Sequence, residues 1–214
     1  MVGMKTVAAV GRITPLVLCA LSAFGQYKSE PAGAPPAEVA PTIAQALQKN
    51  GIKITNGATP YCEIWFRADK PSGPKSSEES VTLPSIPVGA LLGVIRFDGQ
   101  GADRRGQTIK PGIYTLRYGI MPVNGDHQGA APQRDFLLLT PAGDDKDLNS
   151  TPAFDALVAG SRKASGTPHP AVLSFWKADA DTPGFSKQGD SDWVLQAKLG
   201  DTPIAVILVG VASS

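Results

Sequence analysis

From Ile52 onward the sequence is a succession of short apolar runs, all but the last closed within two residues by glycine, proline, asparagine or aspartate. The runs are Ile52–Thr55, Tyr61–Arg67, Val88–Phe97, Ile113–Tyr118, Asp135–Thr140, Ala171–Lys177, Asp192–Leu199 and Pro203–Val211. Runs of this length suit strands, and Asn56-Gly57 and Gly200-Asp201 read as tight hairpin turns. In the fourth run Tyr114, Leu116 and Tyr118 share one face, while Ile113, Thr115 and Arg117 share the other. Helical spacing occurs at two places. Over 38–49, Val39, Ile43, Ala46 and Leu47 fall on one side, with Asn50-Gly51 as the stop. Over 149–163, Thr151 would cap, Pro152 would open the first turn, and Phe154, Leu157 and Val158 share a side. Helices that do not alternate with the strands argue against a parallel α/β sheet. The expectation is a mostly β chain: an antiparallel β-sandwich, Ig-like or jelly-roll, with two short peripheral helices.

The segment Pro111, Gly112, Tyr114, Leu116, Arg117 resembles the turn and first strand residues of many secreted Ig-like and carbohydrate-associated sandwiches. The resemblance spans seven residues. It implies a fold class and no activity, because function resides in sites grafted on folds.

The N-terminus reads as an export signal. Lys5 and Arg12 give a positive start, and Ile13–Phe24 is an apolar run broken only by Thr14, Pro15 and Ser22. It has the length of a signal core and is well short of a spanning helix. Ala23 and Gly25 place small residues before a cut at Gln26. A retained membrane anchor is disfavoured by that length. A lipoprotein built on Cys19 is disfavoured because Leu18, just before it, is not small. The expected organisation is a signal over residues 1–25, a Pro/Ala-rich flexible leader over 26–37, and a single β-sandwich domain over 38–214. The expected location is periplasmic or secreted.

Loss of Lys5 and Arg12 with the signal leaves acids and bases nearly balanced. Nothing in that balance points to nucleic acid. No later apolar run reaches membrane-spanning length, so no transmembrane segment is expected beyond residue 25. Cys62 is then the one remaining cysteine, so the domain must stand on its core rather than on a disulfide.

The foremost candidate for a functional site is the long connection 120–134, which holds Met121, Asp126, His127 and Arg134 and runs straight into Asp135. Connections of that length between strands are often functional. The other histidine, His169, stands between Pro168 and Pro170 just before a strand. If the two strand ends converge, His127 and His169 would hold a transition metal, with Asp126 or Met121 beside them. No zinc spacing or blue-copper cluster supports that set. Asp145, Asp147 and Asn149 begin like a calcium loop, but Ser150 and Ala156 stand where glycine and glutamate are needed. They read instead as a solvated acidic loop before a helix. There is no Gly-x-Ser-x-Gly motif. Cys62 reads as a small buried hydrophobe, and the pairs Asp179/Asp181 and Asp190/Asp192 as turn residues. Trp65, Trp176 and Trp193 read as core rather than as a sugar platform.

Three functions follow from these residues. The first is a non-enzymatic binding or structural module of the cell envelope, acting on an envelope or extracellular ligand. The second is a metal-binding protein using His127 and His169. The third is an envelope-polymer hydrolase using the paired carboxylates.

Overall fold

A computed structural model describes residues 27–123 and 133–212. The expected signal over 1–25, together with Asp126 and His127, lies outside the described residues. In chain order the elements are β1 (Tyr27–Pro31), α1 (Pro41–Ala46), β2 (Ile52–Asn56), β3 (Thr59–Phe66) and β4 (Leu91–Phe97). Then come β5 (Gly101–Ala102), β6 (Thr108–Ile109), β7 (Gly112–Ile120), β8 (Asp135–Pro141) and α2 (Phe154–Ser165). The chain ends with β9 (Val172–Lys177), β10 (Gly184–Gln188), β11 (Asp192–Leu199) and β12 (Thr202–Val209).

Ten strands form one sheet in the order β1-β2-β3-β4-β7-β8-β9-β12-β11-β10, and β5 pairs with β6 as a small separate hairpin. Every neighbouring pair in the large sheet is antiparallel. The chain meanders from β1 to β9, crosses to the far edge at β10, and returns through β11 and β12 to close on β9. The sheet curls until its two ends meet. Tyr27 on β1 packs against Trp193 at 5.4 Å between ring centroids, and Trp193 against Phe185 on β10 at 5.5 Å. Aromatic rings thus cover the seam between two edge strands whose backbone groups lack a ladder partner, a site that otherwise invites pairing with other chains.

The inward face is apolar and filled. Ile64, Phe66, Leu116, Tyr118, Leu137 and Phe175 belong to one buried cluster that runs across the sheet. The outward face is covered in patches. Val39, Ile43 and Leu47 lay α1 and its flanks on Trp65, Leu91 and Val94. The Trp65 indole N–H donates to the Gly33 carbonyl at 2.9 Å, and Gly51 leaves no room for a side chain over that ring. Leu157 seats α2 on Phe136 and Leu138 of β8.

The mostly β, antiparallel architecture with two short peripheral helices is present as expected, and its strands form one sheet nearly closed like a barrel, consistent with the sandwich-type fold anticipated. Three local readings differ. The segment expected as a flexible leader supplies β1, because Tyr27 packs on Tyr61 and Trp193 and Glu30 pairs with Lys53 at 3.3 Å. The first helix is shorter than expected, because Leu47 turns extended and bridges to Arg67. The second begins at Phe154 with Ala153 as its cap, so Thr151 and Pro152 precede it. They instead lie against Gly89, whose φ of +87° and whose missing side chain are both needed there.

Burial also sets the behaviour of the barrel at high pH. Tyr61, Tyr114 and Tyr118 all have their ionisation pushed above the ordinary value of 10, first by loss of solvent. Unfolding restores ordinary tyrosines, which release protons more readily than the folded ones. Their contribution to stability is therefore complete below pH 10 and is lost as the pH rises beyond it. In an alkaline titration the phenolate absorbance of these tyrosines will emerge together with loss of the near-ultraviolet circular dichroism. Phenolate emerging near pH 10 from an intact fold would show that the rings are wet.

Candidate functional site

The connection between β7 and β8 is held shut at its base. The Met121 N–H donates to the Arg134 carbonyl at 2.8 Å, and the Arg134 side chain donates back to the Met121 carbonyl at 2.9 Å. The same guanidinium reaches the Glu79 carbonyl at 2.7 Å and the Glu78 carboxylate at 3.0 Å. Arg134 therefore ties two loops together. Asp135 is fully buried, and its carboxylate accepts from the Thr82 N–H at 2.8 Å, the Leu83 N–H at 3.1 Å and the Tyr118 hydroxyl at 2.6 Å. Its oxygens are engaged in fastening residues 82–83 onto the end of the sheet. Of the candidates from this connection, Arg134 and Asp135 thus have structural partners, and Asp126 and His127 lie outside the described residues.

Met121 and His169 come together on one groove. α2 lies across the outer face of β8 and β9 and leaves a cavity of about 310 Å³ between them. Phe136, Leu138 and Val172 supply an apolar floor from the sheet, and Phe154, Val158 and Arg162 line the helix side. The spacing i, i+4, i+8 puts those three on one stripe of α2. Met121 lines the groove, as do Arg105 and the Pro168-His169-Pro170 turn.

Local chemistry builds the turn. Gly166, with φ +72°, ends α2 in the left-handed conformation that glycine adopts most cheaply. Ser165 Oγ then donates to the His169 carbonyl at 2.6 Å, and Ser161 Oγ donates to the Ala171 carbonyl at 2.5 Å. Arg105 fastens the turn from the other side, donating to the Pro170 carbonyl at 2.7 Å and to the Asp103 carboxylate at 2.6 Å. The His169 ring is exposed, and with Arg105 it also borders a second hollow of about 410 Å³, lined by Gly106, Gln107 and Thr108. An apolar trough and a polar hollow therefore share two residues at their junction.

The acidic loop is not the solvated one expected for Asp145. Arg117 is 1% exposed on the outer face of β7, and its Nε and Nη2 donate to Asp145 at 2.6 and 2.7 Å. Further N–H groups reach the carbonyls of Gly89 at 2.7 Å, Ser150 at 2.6 Å and Asp147 at 2.6 Å. Thr115 Oγ1 donates to the same carboxylate at 2.5 Å. Asp145 is thus consumed by a guanidinium, and calcium has no claim on it. The alternation of β7 had already placed Thr115 and Arg117 together. Their burial depends on a loop 25 or more residues away.

The remaining candidates have ordinary explanations. Cys62 is a free thiol buried in the core, and loss of solvent pushes its ionisation up, which makes it inert. Asp192 is held by Arg104 at 3.0 Å and Asp181 by Lys198 at 2.9 Å, so neither pair supplies two unengaged carboxylates. Trp65 is buried, and Trp193 belongs to the seam cluster. Among the described residues no group of three or more His, Cys, Asp or Glu side chains is placed to hold a metal ion, and no helix is long and apolar enough to cross a membrane. Compared with known protein families, curated proteins and solved structures, the chain finds no match.

Proposed function

We propose that this protein is an exported binding module and that its ligand site is the groove between α2 and the outer face of β8 and β9. Export rests on the charged start, the apolar core and the small residues of positions 1–25. The binding role rests on one observation: an apolar trough of about 310 Å³ stands open on a molecule whose sheet interior is filled. Concave, largely apolar sites of this size with a few polar groups at one end are where small ligands bind. The ligand is a small envelope or extracellular molecule with an apolar body. The role proposed is non-enzymatic: among the described residues that border the trough, no nucleophile stands beside a base.

Linear alcohols are the simplest probes, since they carry an apolar body and no charge. Along a series from 1-butanol to 1-octanol, each added methylene will tighten binding by about fourfold until the trough is full, at about 0.8 kcal/mol per buried CH₂. Isothermal titration calorimetry reads the series. Val158→Trp, at a half-buried position on the trough wall, will abolish the binding while leaving the melting temperature within a few degrees. Alcohols that bind Val158→Trp as well as they bind the unmodified protein would place the site elsewhere and end this reading.

A further inference from the structure

We infer that the molecule bound in this groove is a single-chain amphiphile with a carboxylate head, its tail along Val158 and Phe154 and its head at the junction of Arg162, Arg105 and His169. The inference rests on the groove being the ligand site, and it adds the ligand's chemical class and direction.

Charge carries the argument. Arg162 is exposed, lies on the groove stripe of α2, and has no ion-pair partner among the described residues. Arg105 adds a second guanidinium, whose charge Asp103 already balances. Among the described residues no aspartate or glutamate borders either hollow. Gln107 accepts from the Thr167 hydroxyl at 3.0 Å through its carbonyl, which leaves its amide N–H groups as donors. Among the described residues the polar end of the site therefore carries the unpaired guanidinium of Arg162 and several N–H donors, and the one carboxylate near it, Asp103, is engaged by Arg105. The C-terminal end of α2 contributes roughly half a negative charge, which opposes an anion there; the full charge of Arg162 outweighs it. Guanidinium groups suit carboxylates because the planar fork matches two oxygens at once.

Size limits the ligand to one chain. From Phe154 to Arg162 the helix advances two turns, about 12 Å at 1.5 Å per residue. The trough volume of about 310 Å³ sits at the lower end of the range seen for small-molecule sites. A single short acyl chain fills such a space, and a two-chain lipid exceeds it.

The test compares octanoate with 1-octanol, which share a chain and differ in the head, by calorimetry on the unmodified protein, Arg162→Gln and Arg162→Lys at neutral pH and low salt. Octanoate will bind about fivefold tighter than octanol, the size of an exposed charge contact. Arg162→Gln will erase the difference with its melting temperature unchanged, and Arg162→Lys will keep part of it. Equal binding of octanoate and octanol, or an octanoate preference that survives Arg162→Gln, overturns the carboxylate inference and leaves the groove standing. Binding of neither compound overturns both the inference and the groove.

Discussion

Arg117→Met will lower the unfolding free energy by about 3–5 kcal/mol, the cost of leaving one member of a buried ion pair without the other. The magnitude follows from what the guanidinium satisfies. Without it, Asp145 keeps a buried carboxylate with the Thr115 hydroxyl as its remaining partner in this network, and the carbonyls of Gly89, Asp147 and Ser150 lose their donor. The Asp147 and Ser150 carbonyls belong to the loop that leads into α2 and the Gly89 carbonyl to the segment before β4, so the loop and the start of the helix loosen together. Arg117→Lys will recover part of the loss, since an ammonium restores the charge and cannot span the carboxylate and three carbonyls at once. Urea unfolding followed by circular dichroism measures both variants, with the slope m checked for constancy. A cost below about 1 kcal/mol for Arg117→Met, typical of a surface pair, would contradict the burial of this network. Asp145→Asn will fall between the two arginine variants, because the amide keeps one acceptor for the fork and leaves the cation buried with less compensation.

The elements that could be read from the chain are those whose own residues carry the signal. The hairpin of β2 and β3 is announced by Asn56-Gly57 between two alternating runs, and the faces of β7 by Tyr114, Leu116 and Tyr118 against Thr115 and Arg117. β1 and β10 went unread because edge strands need no apolar stripe. Gly184-Phe185-Ser186-Lys187-Gln188 buries little and is placed by its ladder with β11. The alternation of β7 separates its two faces and leaves open what covers the one with Thr115 and Arg117. The actual cover is a loop far along the chain, and no local pattern reports it. The groove has the same character. Met121, a loop residue, and His169, a proline-flanked histidine, both border it. The metal set proposed for them also needs His127, which lies outside the described residues, and the groove they border is lined as well by Phe136, Leu138 and Val158. One signal was present and unread: Phe154, Val158 and Arg162 follow the same helical stripe, and a stripe that runs from aromatic to cationic describes an amphiphile's site as well as a helix's buried face.

Asp135→Ala will cost about 3–4 kcal/mol and leave binding at the groove intact in whatever fraction remains folded. The carboxylate is fully buried, and three donors converge on it: the N–H groups of Thr82 and Leu83 and the Tyr118 hydroxyl. Removing the acceptor strands these donors in a place with little water, and each stranded donor costs about 1–3 kcal/mol before the segment relaxes. The relaxation has a direction. Residues 82–83 sit at the end of the sheet, and Leu83 is part of the filled interior, so releasing them exposes that end first. Asp135→Asn will cost less than Asp135→Ala, because the amide oxygen still accepts while the amide nitrogen faces a backbone N–H donor in place of an acceptor. Tyr118→Phe will cost least, about 1 kcal/mol, since it removes one hydrogen bond and leaves the others in place. Hydrogen exchange on the Thr82 and Leu83 amides, read beside global stability, separates local release from general weakening. Both amides should lose protection before the strands on either side do. The opposite pattern is equally decisive. An Asp135→Ala protein with undiminished stability and lost affinity for octanol would mean that this carboxylate faces the ligand, and the assignment of the site to the α2 groove would have to be redrawn around the β7–β8 connection.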